Sequence, residues 1–172
     1  EYPAMNDMIV PGYEYGAKQV NKGFEVDFRV LGNWYDANKA GELANSMFDA
    51  GVDVILTACG GANQGVITAA QDRGKYVLYF DDENYGLAPG TIVGCSVLMQ
   101  DRAVYEQVTA AIAGDVEWGA AEIVDVAGGY VGFVDDHPLY VDAVSKEVRD
   151  MMAGVLADVR AGKIALEVPK FW

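Results

Sequence analysis

Val52-Asp53-Val54-Ile55-Leu56-Thr57-Ala58-Cys59-Gly60-Gly61 decides the fold. A nearly continuous apolar run of strand length, ending in paired glycines, is how a parallel strand covered on both faces reads. The grammar then repeats. Asn63–Arg73 reads as a helix closed by Gly74, and Tyr76–Phe80 as a second apolar strand ending in Asp81-Asp82-Glu83-Asn84. Thr91–Val97 is a further strand, after a Pro89-Gly90 turn. Upstream, Ala37–Ala50 is amphipathic, with Asp36 placed to cap it and Gly51 to stop it. Phe24, Val26, Phe28 and Val30 alternate with Glu25, Asp27 and Arg29, which predicts a strand with one exposed face near a sheet edge. Pro11–Lys22 reads as a helix, with proline near its first turn and Gly23 at its end. Alternation at this spacing predicts an α/β fold on a doubly wound parallel sheet. Such sheets bind ligands at the carboxyl ends of their strands, here Leu31-Gly32-Asn33, Cys59-Gly60-Gly61 and Asp81-Asp82.

Beyond Asp101 the pattern changes. Arg102–Ala113 is helical, and Glu122–Val126 and Tyr130–Val134 flank Ala127-Gly128-Gly129 as in an antiparallel hairpin. Tyr140–Ala161 reads as one long amphipathic helix, followed by an extended tail to Trp172. This section is too short for a core of its own and is expected to pack on something else. A doubly wound sheet normally opens with a central strand, whereas this chain opens with a loop and a helix. Loss of a central strand leaves backbone groups unpaired on both neighbours, so the sequence reads as the later part of a longer chain.

The chain has 172 residues, 52% of them hydrophobic and 22% charged, a globular composition. Its net charge of −14, with scattered Lys and Arg, disfavours nucleic acid and anionic membrane surfaces as partners. Cys59 and Cys95 sit in strand contexts with another strand expected between them. That sets their backbones roughly 10 Å apart, too far for a disulfide, so both are read as buried free thiols.

Asp81-Asp82-Glu83 can accept hydrogen bonds from vicinal hydroxyls, hold Mg²⁺ or Ca²⁺, or be a solvated acidic loop without a role. An aspartyl-phosphate site fits poorly, because Glu83 stands where a second Asp belongs. Gly60-Gly61-Ala62-Asn63-Gln64-Gly65 lacks dinucleotide and P-loop spacing. It offers either close backbone approach to a ligand at a helix N-terminus or only a tight turn. Trp34 is a stacking platform for a flat ring or a lid over the core, and Tyr35 shares the ambiguity. His137, the sole histidine, reads as a surface residue. No nucleophile–base pair, zinc pattern or cofactor motif is present, so no catalytic residue, metal or cofactor is assigned.

Four stretches carry a family likeness: Gly32–Lys39; Gly51–Ile55 through Gly60-Gly61 to Gly65-Val66-Ile67; Lys75-Tyr76-Val77 through Asp81; and Ser96 through Tyr105. With the Gly128–Gly132 turn and the long helix, the sequence resembles the basic membrane proteins and purine-nucleoside receptors, extracytoplasmic solute-binding lipoproteins of ABC importers. The resemblance implies a type I periplasmic-binding fold with a ligand between two lobes. Residues 1–104 correspond to the C-terminal lobe without its first strand, and residues 105–172 to elements returning toward the N-terminal lobe. That lobe, the lipid-anchored cysteine and the missing strand would lie upstream of Glu1. The resemblance also implies an ABC permease partner and a nucleoside-like ligand. Trp34 would stack on the base, Asp81 bind ribose hydroxyls, and backbone near Gly60 and Gly61 line the cleft. Where the family often has Lys, Met99 removes a cationic donor, which leaves a flavin or modified nucleoside open as ligand. A ligand-sensing regulatory domain on the same fold and a metal-dependent enzyme using Asp81, Asp82 and Glu83 are the alternatives.

Overall fold

The computed structural model describes residues 3–164, so the tail expected up to Trp172 lies outside the described residues. The described residues form two compact units, residues 3–55 with Cys59–Lys75, and Leu56–Ala58 with Tyr76–Ile164.

In the first unit, α1 spans Pro3–Val20 and contains Pro11 in its interior, so the helix starts well before the expected position. A proline forfeits one helical hydrogen bond, yet the helix continues on both sides of Pro11. The strand expected over Phe24–Val30 does not form. Residues 25–30 make no backbone hydrogen bond among the described residues, and a strand exists only as part of a ladder. Alternation survives only in part: Phe24 and Val26 are half-buried, while Phe28 and Val30 are exposed. Arg29 pairs with Asp27 and donates to Ser46 Oγ at 2.8 Å.

Helix α2, Ala37–Asp49, is capped as expected: Asp36 Oδ1 accepts from Lys39 N at 3.0 Å. It buries Ala40, Ala44 and Phe48, spaced four apart on one face, and this helix packs on α3. Helix α3 spans Asn63–Arg73 and ends at Gly74, whose φ of 60° lets its N–H reach Ala70 and Gln71 carbonyls. A short 3-10 turn, Gly60–Ala62, leads into α3.

A four-stranded sheet has the strand order β1-β2-β3-β4. These are Val54–Thr57, Tyr76–Tyr79, Ile92–Leu98 and Val131–Phe133, the first three shifted or shortened slightly from the apolar runs. Strands β2 and β3 run parallel, with Val77 opposite Ile92 and Tyr79 opposite Cys95. The expected hairpin forms only as a turn. Tyr130 N donates to Asp125 O at 3.0 Å and Gly129 N to Val126 O at 3.1 Å, but residues 122–126 are not a strand. Instead β4 pairs antiparallel with β3, Val97 opposite Gly132 and Ser96 opposite Phe133. Glycines let the two strands approach closely. A Cβ at Gly94 would lie 3.2 Å from the Phe133 ring, and one at Gly132 3.2 Å from Val97 Cγ2.

One rung of this ladder is relayed. Val134 N donates to Cys95 O at 3.0 Å. The return bond runs through buried Tyr85, whose hydroxyl accepts from Cys95 N at 3.0 Å and donates to Val134 O at 2.8 Å. Burial pushes that hydroxyl well above its ordinary pKa and the Cys95 thiol up to about 11, so both stay protonated at neutral pH. Cys59 and Cys95 are both free thiols; Cys95 is buried and Cys59 half-buried. His137 is not a bland surface residue. It stacks on Tyr85 at 5.2 Å, and its Nδ1 accepts from Leu139 N at 3.2 Å, capping the next helix.

Helix α4 spans Gln100–Ala113 and buries none of its residues. The single long helix expected next is two, α5 Pro138–Ala143 and α6 Lys146–Arg160. Ser145 makes the break: in extended conformation, its Oγ accepts from Val148 N at 3.4 Å. A serine that can cap a new helix competes with continuing the old one.

Candidate functional site

The sequence-derived site residues fall into two groups, one in each unit. Trp34 follows an extended segment with no ladder to hold it, so local hydrogen bonds fix its loop instead. Lys39 Nζ donates to Leu31 O at 2.9 Å. Asn33 Oδ1 accepts from Tyr35 N at 3.0 Å and from Asp36 N at 2.7 Å. Trp34 O accepts from Ala62 N at 3.2 Å, tying the loop to the Gly60–Ala62 turn.

Glycine is strongly favoured at position 60. Its φ is 57°, and a Cβ would lie 3.3 Å from Trp34 O and 3.6 Å from the ring atom Cε3. Gly61 lies against the same carbonyl, 3.5 Å from its own would-be Cβ. Buried Asn63 completes the turn, accepting from Cys59 N at 2.7 Å. The structure thus brings together Trp34, Gly60 and Gly61, and leaves Trp34 43% exposed on a clamped backbone. That is what a preorganised stacking surface requires. Tyr35 is more exposed still.

In the second unit, Asp81 and Met99 stand at the carboxyl ends of β2 and β3. Leu98 N donates to Asp81 O at 3.3 Å, which makes the two ends neighbours. Asp81 has a φ of 90°, a positive value found at no other described residue except glycines. A side chain in that region is strained, and such outliers concentrate where geometry serves a site. Its carboxylate is exposed. The neighbouring acids are committed differently: Asp82 Oδ1 accepts from Glu83 N at 2.8 Å, and Glu83 Oε1 from Tyr85 N at 2.9 Å. Among the described residues no group of three or more His, Cys, Asp or Glu side chains is arranged to hold a metal.

Met99 N donates to Tyr130 O at 2.8 Å. Sequence reading missed the cluster behind it. Arg102 lies 4.2 Å over the Tyr130 ring, donates to Gly128 O at 3.0 Å and pairs with Glu106 at 2.8 Å. Glu106 also accepts from the Tyr130 hydroxyl. Tyr130's hydrogen bond first and then Arg102's hold the Glu106 carboxyl below its usual range, and the bond to Glu106 raises the Tyr130 hydroxyl. The i, i+4 spacing of Arg102 and Glu106 was visible in the sequence; the docking of Tyr130 on them was not.

The sequence profile described as "ABC transporter substrate-binding protein PnrA-like" matches residues 1–157. The chain belongs to this family. Basic membrane protein B of Borreliella afzelii (strain PKo) is 34% identical over 125 residues, covering 70% of this chain and 37% of that protein. Among solved structures, a transcriptional activator of the comK gene from Bacillus halodurans superposes with a TM-score of 0.78 at 25% identity. It covers 92% of this chain and 54% of its own. An ABC transporter system solute-binding protein from Aeropyrum pernix K1 gives a TM-score of 0.76 at 19% identity, covering 92% and 53%. The fold is therefore that of the periplasmic-binding proteins, mixed α/β with a largely parallel sheet. The chain spans about two-fifths to half the length of these relatives. Among the described residues no helix is long and apolar enough to cross a membrane.

Proposed function

We propose that this protein is the extracytoplasmic, lipid-anchored binding component of an ABC importer, that it is not an enzyme, and that its cargo is nucleoside-like. Residues 1–104 supply most of one lobe, residues 105–172 return toward a second lobe, and a permease takes the cargo on. The observation that carries this reading is the clamped, solvent-facing Trp34 beside Gly60 in a chain of this family. Trp34 presents an aromatic face to a heterocycle, and the exposed Asp81 carboxylate accepts hydrogen bonds from vicinal hydroxyls. Gly60 and Gly61 leave room for close backbone approach, and Met99 supplies an apolar contact.

Calorimetry with nucleosides on the protein at its natural length tests the reading. Asp81→Ala is expected to weaken binding about tenfold, the cost of about 1.4 kcal/mol for one charged hydrogen bond. Trp34→Ala weakens ring-bearing ligands selectively. Unchanged affinity in both variants refutes the assignment. The likeness to a comK activator favours a second reading, a ligand-sensing regulatory domain. Mass spectrometry of the co-purified ligand, with localisation of the intact protein, separates the two.

A further inference from the structure

Asn33 carries a feature that the loop's folding does not use. Its Oδ1 is engaged by two backbone N–H groups, Tyr35 at 3.0 Å and Asp36 at 2.7 Å. Those bonds fix which limb of the carboxamide is oxygen, because only oxygen accepts. The other limb, Nδ2, makes no hydrogen bond to any described residue. Two donors are thus held at a set angle, on the residue next to Trp34, in a loop anchored by Lys39 and Ala62. The structural task alone does not call for asparagine. An aspartate would accept the same two amides with stronger, charge-assisted bonds, and would favour the α2 N-terminus by its charge.

We propose that Asn33 is a specificity-determining residue, its Nδ2 donating to a ring carbonyl on the heterocycle stacked against Trp34. The inference rests on the ring-binding reading of Trp34. A rigid donor beside an aromatic face discriminates ligands by one functional group. A ring lacking the acceptor leaves the donor unmatched, and a carboxylate in its place meets the acceptor with repulsion.

The test compares inosine, which has a ring carbonyl, with purine riboside, which lacks it, on wild-type protein and the Asn33→Asp and Asn33→Ala variants. Tryptophan fluorescence and urea unfolding are recorded alongside. Asn33→Asp is expected to keep the wild-type emission spectrum and at least wild-type stability. It should lose about tenfold or more in inosine affinity while changing purine riboside less than twofold. Asn33→Ala, which also frees the loop, weakens both ligands. If wild type binds inosine and Asn33→Asp binds it equally well, this inference is overturned while the receptor reading stands. If wild type binds neither probe, the nucleoside reading fails and this inference falls with it. An equal loss for both probes in Asn33→Asp with a shifted emission spectrum assigns Asn33 to loop positioning alone and also overturns the proposal.

Discussion

Gly65→Ala is the sharpest test of the packing, because helix propensity and sterics predict opposite signs. Alanine is favoured over glycine within a helix by about 1 kcal/mol, so propensity alone predicts stabilisation. In the structure a Cβ on Gly65 would lie 1.8 Å from Ala37 O, 2.8 Å from Ala37 C and 2.9 Å from Gly41 N. Ordinary contact begins near 3.4 Å, so α2 and α3 would have to part by about 1.6 Å. The atoms struck are backbone, with no side chain to swing aside. Separation also loosens the contacts of Ala40, Ala44, Ile67 and Ala70, all buried. A net destabilisation of about 3 kcal/mol or more follows, at the upper end of overpacking costs. For a chain of this size that lowers Tm by about 6–12 °C. Gly154 in α6 is the control, since nothing lies within 4 Å of its would-be Cβ. Gly154→Ala should stabilise by about 0.5–1 kcal/mol. Urea unfolding followed by far-ultraviolet circular dichroism reads both. Gly65→Ala as stable as wild type would refute the helix–helix contact.

Other outcomes follow from the same structure. Tyr85→Phe removes the hydroxyl relaying Cys95 N to Val134 O and should cost about 1–3 kcal/mol in denaturant unfolding; no change would mean the strands close directly without it. Asp27 is depressed chiefly by its hydrogen bond from Arg29, and Glu106 by those from Tyr130 and Arg102. A carboxylate depressed in the folded state stabilises above its unfolded pKa and loses that contribution as pH falls through its folded one. Midpoints measured from about pH 6 to 3 should therefore fall less steeply in Glu106→Gln than in wild type; parallel slopes would argue against the Tyr130–Arg102–Glu106 cluster.

Local signals transferred to the structure almost residue for residue. Asp36 caps α2, and Asn63–Arg73 with Gly74 behind it forms α3 as read. These features are settled within one turn of chain, where a capping side chain or a left-handed glycine acts on its own neighbours. The apolar runs at Val54, Tyr76 and Ile92 became strands because burial on both faces leaves such sequences few alternatives. Two of the three misreadings share a cause. Phe24–Val30 has a strand's alternation but no ladder, Tyr130–Val134 took β3 rather than residues 122–126 as partner, and the run from Tyr140 broke where Ser145 offered a cap. In two of these the outcome depends on which distant edge is free, and that is absent from a local pattern.

The proposed ligand-binding residues divide the same way. Residue type singled out Trp34, Gly60, Gly61 and Asp81, because aromatic rings, bare backbone and carboxylates at strand ends are chemistry visible in one dimension; Met99 came in only through the family resemblance. Only the tertiary structure set Gly60 against the Trp34 ring and linked Asp81 to Leu98, whereas the two amides that engage Asn33 lie within three residues of it. Sequence fixes which groups are available. Long-range packing and the pairing of buried backbone decide where they point and what they have left to offer.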